Sequence, residues 1–253
     1  MRPAHPLLSA SRRQNNWTGR LAFWVTLSVA LLAAVPAAWA RPASKVFLNG
    51  VPAPVFFNDG DSFTVLGGPL EGSKARLAGY NTLESFGPVH RWGEWTAHEL
   101  YINAKMATLN ARRGVWRCHS DLSRDGYGRI LWTCPDLIVD QVRKGLGHPM
   151  TVTEEPSPQE QLDAMVLAQR ERRGMWAKGI PDYVLTSTHS NDEGYAGTTY
   201  NRLVSTKTGA SKKWLHTDNY KECQEVCHES GSCMVYVAFN KRYGAQRAAC
   251  LAH

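Results

Sequence analysis

Ala75-Arg76-Leu77-Ala78-Gly79-Tyr80-Asn81-Thr82-Leu83-Glu84-Ser85 is the stretch on which the fold turns. It begins as a strand, with Leu77 and Tyr80 as its apolar and aromatic positions, Arg76 interrupting the apolar run and Gly79 marking a bend. It ends in a polar loop that carries Asn81, Thr82 and Glu84. A guanidinium, several oxygen donors and a carboxylate therefore fall within eleven residues, a set suited to metal-assisted chemistry on an anion. Standing alone, the same residues also describe a strand, a turn and a surface Arg and Glu.

Two further places weigh against the plainer reading. Upstream, Asn58-Asp59-Gly60-Asp61-Ser62-Phe63-Thr64-Val65 sets two aspartates around a glycine just before an apolar strand. Downstream, Ser123-Arg124-Asp125-Gly126-Tyr127-Gly128-Arg129-Ile130-Leu131-Trp132 places Arg129 just past an Asp-Gly turn between two strand-like runs. Cys118 and Cys134 lie symmetrically about Gly126, so an antiparallel hairpin centred there would face them across the pair. A Cys118–Cys134 disulfide is the expectation, with two buried thiols as the alternative.

The surrounding pattern is one of short strands, then helices. Residues 46–55 read as an edge strand or lead-in, broken by Asn49-Gly50 and two prolines. With 56–66 and the 75–85 stretch they make a three-stranded meander. A helix is expected over 93–113, its inner face formed by Trp95, Ile102, Met106 and Leu109. His98 on that helix has no Cys or His at metal spacing and reads as structural. Residues 115–118 and 130–134 form the two arms of the hairpin, and 137–146 a short helix. Ser157-Pro158-Gln159-Glu160 predicts a helix start, with Ser as cap, Pro at the first position and Glu closing a capping box. Leu162, Met165 and Ala168 would face inward, and Arg170, Arg172 and Arg173 form a solvated face.

These motifs, in this order, resemble the staphylococcal nuclease family, and the likeness continues through Trp92-Gly93-Glu94-Trp95-Thr96-Ala97-His98-Glu99, Val142-Arg143-Lys144-Gly145-Leu146 and Ala168 to Trp176. It covers roughly 45–178. The resemblance implies an α+β fold: a five-stranded OB-type barrel with three helices, in a domain spanning 41–180. It implies phosphodiester hydrolysis of DNA or RNA with little sequence preference. Arg76 and Arg129 would clamp the phosphate, Glu84 would be the general base, and Asp61, Asn81 and the Thr82 carbonyl would hold Ca²⁺. The family has Asp where this chain has Asn81, Pro at Leu83 and Thr at Ser62, and its nucleotide-packing tyrosines are not evident near 149–153. A neutral amide at 81 lowers the expected calcium affinity and leaves open a domain that binds phosphate-rich polymers without cutting them.

The termini carry separate messages. Arg12, Arg13 and Arg20 precede an apolar run over 21–35, and Ala38-Trp39-Ala40 supplies small residues for cleavage, so 1–40 reads as a secretory signal peptide rather than a membrane anchor. No stable membrane span is then expected after cleavage, and the protein is expected to be exported, periplasmic or secreted, and monomeric. The chain has 29 basic and 22 acidic residues. The first forty hold four of those arginines and no acid, so the remainder carries a net charge of only about +3 and does not announce nucleic-acid binding by bulk charge. All six cysteines follow residue 40, as an oxidising compartment favours.

Residues 181–199 are rich in Ser, Thr, Asn and Gly and read as a linker. Beyond it, Asp218 could cap a helix placing Cys223 and Cys227 one turn apart, followed by a strand over 234–239. The spacing Cys223-x3-Cys227-x5-Cys233, an aromatic strand and Cys250 resemble the PAN/apple module, a small disulfide-stapled α+β unit over 200–253. That resemblance implies Cys223–Cys250 and Cys227–Cys233 pairs and a protein or carbohydrate ligand. A zinc site is the competing reading of the same cysteines. An adhesion protein with the barrel as spacer is the third functional possibility, beside the nuclease and the non-cutting binder.

Overall fold

A computed structural model describes residues 44–86, 89–194 and 197–251. The expected signal peptide lies outside the described residues. The chain is mixed α+β, with three α-helices against a curled sheet. That sheet begins with β1 (Ser44–Leu48) and β2 (Val51–Phe57), which form a hairpin rather than one interrupted strand. Asn49 and Gly50, at φ 48° and 83°, adopt the two left-handed positions that a tight hairpin turn requires. The prolines Pro52 and Pro54 are accommodated within β2.

β3 (Ser62–Val65) and β4 (Lys74–Leu77) continue the meander, pairing antiparallel in turn. Phe63 and Val65 point into the core with Phe57 and Leu77. After Ala78 the chain bends at Gly79, φ 95°, into β5 (Gly79–Thr82). Ahead of the bend β4 stays in the main sheet; beyond it β5 pairs with β9 (Gly147–Met150). The bend thus lifts Asn81 and Thr82 out of the main sheet. β6 (His90–Trp92) follows.

The main sheet has six strands in the order β7-β1-β2-β3-β4-β8, with β7 (Val115–Cys118) and β8 (Ile130–Trp132) at its two edges. These two strands do not form a continuous hairpin. Each pairs parallel with another strand, β7 with β1 and β8 with β4. Their ends meet where His119 and Thr133 exchange backbone hydrogen bonds of 2.9 Å, beside the Cys118–Cys134 disulfide. The sheet curls because its edges are drawn together there.

Helix α1 (Ala97–Arg113) starts at a capping box, Thr96 accepting from the Glu99 amide and Glu99 accepting from the Thr96 amide. Its inner face is Leu100, Ala104, Ala107 and Ala111, whereas Ile102, Met106 and Leu109 are 40–46% exposed, the reverse of the sequence expectation. Two stripes share helical spacing, and the alanine stripe is the one short enough to let the helix lie close on the sheet. Trp95, just ahead of the helix, does pack on the core and donates from Nε1 to the Met175 carbonyl.

Helix α2 (Pro135–Arg143) and helix α3 (Gln159–Arg170) close the other side. Ser157 does not cap α3; Pro158 holds the N-terminal position, and the buried Ser157 hydroxyl has no hydrogen-bond partner. Instead the Ser157 amide donates to the Thr208 carbonyl, and its side chain packs on Gly209. Met165 and Ala168 are buried as expected, with Leu162 packed at the rim of the core.

The stretch 181–199, read as a linker, contains β10 (Tyr183–Ser187) and a 3-10 turn over Asn191–Glu193. β10 forms a three-stranded sheet with β11 (Thr199–Ser205) and β12 (Ser211–His216). Polar composition concealed a strand whose Val184 and Leu185 are fully buried. The helix expected after Asp218 is not formed either. Cys223 sits in a left-handed turn at φ 64°, and Cys227 lies on β13 (Glu225–Cys227), directly opposite Cys233 on β14 (Ser232–Val235). Among the described residues the cysteine-rich part is strands and 3-10 turns, stapled by Cys223–Cys250 and Cys227–Cys233. It is not separate: β14 pairs with β6, and the described residues form one unit. No helix among the described residues is long and apolar enough to cross a membrane.

Burial of two imidazoles has a measurable consequence. His90 on β6 and His148 on β9 are both buried, and desolvation pushes their pKa values down to about 3 and about 4. Both are neutral in the fold, while the unfolded chain protonates them near pH 6.5. Their stabilising share is complete above that pH and is lost as pH falls toward 4 and then 3. Each is expected to cost on the order of 2 kcal/mol between pH 7 and pH 5. The partly buried Asp59 and Glu84 shift upward and act in the opposite sense. The histidine share is therefore read as a difference: urea unfolding of His90→Gln should show that much less acid sensitivity than the parent. Equal sensitivity would contradict it.

Candidate active site

The polar cluster is built where the β2–β3 turn meets the bend into β5. Asp59, Gly60 and Asp61 form that turn, closed by the Asn58 amide donating to the Ser62 carbonyl at 3.0 Å. Gly60 has no room for a side chain: a Cβ there would lie 2.6 Å from Thr82 Cγ2 and 2.8 Å from the Ala107 Cβ. The glycine between the aspartates and the alanine stripe of α1 are thus parts of one close approach, which presses the turn against β5. Asp59 Oδ1 accepts from the Ser62 hydroxyl at 2.7 Å and from the Asp61 amide at 3.2 Å, fixing the turn.

Four of the expected residues are joined directly. Arg76 Nη1 donates to Asp61 Oδ1, and Arg76 Nη2 donates to Asn81 Oδ1. The other Asp61 oxygen accepts from the Thr82 amide at 2.9 Å, and Asn81 Nδ2 donates to the Thr82 carbonyl at 2.8 Å. The Asp61 side chain is 4% exposed and that of Arg76 18%. An arginine from the main sheet and an amide from the bent strand therefore meet a single buried carboxylate. Tyr80, fully buried behind them, donates its hydroxyl to the Gly60 carbonyl.

Glu84 lies two residues beyond Thr82, its amide donating to His90 Nε2 at 3.3 Å. Burial, then the neighbouring Asp61 carboxylate, raises the pKa of its carboxyl, while Arg242, Arg76 and Arg129 pull it back. A carboxyl whose pKa its site raises is a stronger proton acceptor than an ordinary carboxylate. Arg129 does not reach into the hydrogen-bonded cluster. Its Nε and Nη2 both contact Asp125 Oδ2 at 2.7 Å, within its own turn, and its guanidinium sits 5.5 Å from the Tyr127 ring. Its link to the cluster is through the field at Glu84.

Two residues of this neighbourhood were missed from the sequence. Arg242 stands ahead of Arg76 and Arg129 in its pull on Glu84, and Tyr243 feels Glu84, Arg242, Asp59 and Arg129 once burial has raised its pKa. Both follow the 3-10 turn Phe239–Lys241 of the cysteine-rich part. The path is continuous: Met234 pairs with His90, the Val235 amide donates to the Val89 carbonyl at 2.9 Å, and Arg242 Nε donates to the Val237 carbonyl at 2.9 Å. No sequence signal ties position 242 to position 84, because the tie is made by β6–β14 pairing.

The donor types suit a hard cation. Asp61 and Asn81 turn a carboxylate and an amide oxygen to one cationic group, the Arg76 guanidinium, while the Thr82 carbonyl beside them accepts from Asn81 Nδ2. A second cluster, Glu225 with Cys227 and Cys233, is no metal centre, since those two sulfurs are bonded to each other. Neither a protein-family model nor a curated protein matches this chain, so the functional reading rests on the residues themselves.

Proposed function

We propose that the chain is an exported phosphodiesterase that hydrolyses DNA or RNA, built on a staphylococcal nuclease-like barrel of the OB type. The observation that carries this reading is the gathering of Asp61, Arg76, Asn81 and Thr82 into one hydrogen-bonded cluster, with Glu84 beside it in the field of three arginines. A phosphodiester is an anion whose transition state concentrates more charge on the phosphoryl oxygens, so cations fixed beforehand lower the barrier. Arg76 presents a two-pronged donor, matching paired phosphate oxygens. Arg129 and Arg242 add positive potential on the Glu84 side. Glu84 takes the proton of the attacking water.

The metal in this reading is Ca²⁺, held by Asp61, Asn81 and the Thr82 carbonyl, and when bound it would supply positive charge to the phosphate. With Asp61 as the one carboxylate among these ligands, its binding belongs to the weak range of extracellular modules. The three disulfides support an oxidising compartment, periplasmic or extracellular. The cysteine-rich part, with its PAN/apple-like pairing, serves as the binding element for a protein or carbohydrate.

The test is cleavage of single-stranded DNA by protein lacking residues 1–40, with calcium or with chelator. Glu84→Gln, isosteric but unable to take the proton, should lower cleavage about 10²- to 10⁴-fold with little change in oligonucleotide affinity. Arg129→Ala should lower it less, because its guanidinium is shared with Asp125. The neutral Asn81 and the tie of Arg76 to Asp61 favour a second reading, a domain that holds phosphate polymers without cutting. Retention of DNA with no calcium-dependent cleavage in the parent would select it.

A further inference from the structure

A second place, not used by the proposed chemistry, collects cations without neutralising them. Between the β11–β12 pair and the loop after β9 lies a cleft of about 350 Å³, lined by Val152, Glu154, Arg202, Lys212, Lys213 and Leu215 among others. Lys207 and Lys144 are ion-paired, with Asp182 at 3.0 Å and Asp140 at 2.8 Å. Arg202 and Lys213 form no ion pair among the described residues, although Glu154 shares the cleft.

Arg202 and Lys213 stand directly opposite each other in the antiparallel register, an arrangement that costs stability for like charges. Both are held over the same ring, Arg202 at 5.7 Å and Lys213 at 4.8 Å from the Tyr200 centroid. Lys212, the next residue along the strand, projects to the opposite face, 4.0 Å over the Tyr183 ring. The Tyr200 ring thus sets two charges, Arg202 and Lys213, in place without cancelling them. The floor is backbone-fixed: the Ser211 amide donates to the Thr153 carbonyl at 2.9 Å, and its hydroxyl donates to the Thr151 carbonyl. At the edge, Val152 and Leu215 are 73% and 64% exposed.

Fixed cations beside exposed apolar side chains match a ligand with repeated phosphates and accessible flat bases. We propose that this cleft binds a single-stranded nucleic acid, Arg202 and Lys213 facing its phosphates and Val152 and Leu215 its sugars and bases. The loop that forms one wall begins directly after β9, whose His148 pairs with Asn81. This binding does not depend on whether the candidate active site cuts.

The experiment is fluorescence anisotropy of a labelled oligothymidylate with the full mature chain, in chelator, across a salt series. The Arg202→Gln/Lys213→Gln variant should bind at least about fivefold more weakly near 100 mM salt, with the log–log salt slope reduced by about 1.4. Arg202→Lys/Lys213→Arg should keep the parent slope, which separates lost charge from lost folding. Leu215→Ala should weaken binding with the slope unchanged. The binding is read in chelator, so a failed calcium-dependent cleavage prediction would leave this one standing. An unchanged slope in the double variant would overturn the proposal. So would equal displacement by a sulfated polysaccharide together with no effect of Leu215→Ala, which would assign the cleft to acidic glycans.

Discussion

Arg76→Met is expected to lower stability by about 3 kcal/mol and cleavage by at least about 10²-fold. Arg76 is the only cationic side chain hydrogen-bonded to the buried Asp61 among the described residues, and it bonds Asn81 with its second amino group. Methionine fills similar volume but leaves the carboxylate with only the Thr82 amide as a close donor. Removing one partner of such a pair costs more than the pair contributes, because a charge is stranded away from water. Arg76→Lys should recover much of the stability but little of the cleavage, since a point charge cannot grip two oxygens at once.

The same substitution separates the two roles of the cluster. With the guanidinium gone, Asp61, Asn81 and the Thr82 carbonyl are left facing one another without a cation. Millimolar calcium should then raise the unfolding midpoint of Arg76→Met more than that of the parent, by mass action on the folded state. The measurement is chemical denaturation with calcium and with chelator. An identical calcium response in both proteins would remove Asp61 and Asn81 from the list of cation ligands.

Cys118→Ala/Cys134→Ala should cost about 3 kcal/mol, equivalent to roughly 10 °C in melting temperature. The bond closes a loop with a sequence separation of 16, against 6 for Cys227–Cys233, and longer loops gain more from closure. It also joins the two edge strands of the curled sheet, beside the His119–Thr133 exchange. Arg129 lies in the loop so closed. Its own turn is held by Asp125 and should survive, but its position relative to Glu84 should loosen, so cleavage should fall further than in Cys227→Ala/Cys233→Ala. Thermal melts and cleavage rates of the two double variants decide this. Equal losses from both would show that the sheet curls without the bond.

Much of this was legible along the chain, and for a common reason. The bend at Gly79, the tight turn beside Arg129 and the symmetry of Cys118 and Cys134 about Gly126 are short-range matters of backbone conformation and counting. Asn49-Gly50 was legible too, as a hairpin signal, but the two prolines nearby were given more weight than β2 required. The capping residues misled at α3, where Ser157 was drawn away by contacts with Thr208 and Gly209, fifty residues on.

Taken alone, the amino-acid order determined where the strands turn, which residues can act as oxygen donors or cations, and that the cysteines can pair. Only the tertiary structure decided which stripe of α1 is buried, that 181–199 holds a strand, and that Arg242 reaches the neighbourhood of Glu84. Turn chemistry depends on the torsion angles of a few adjacent residues, so it is written locally. Burial and electrostatic proximity depend on what the rest of the chain brings alongside: alanines win a face because a glycine turn lies close by, and Arg242 meets Glu84 because β14 pairs with β6.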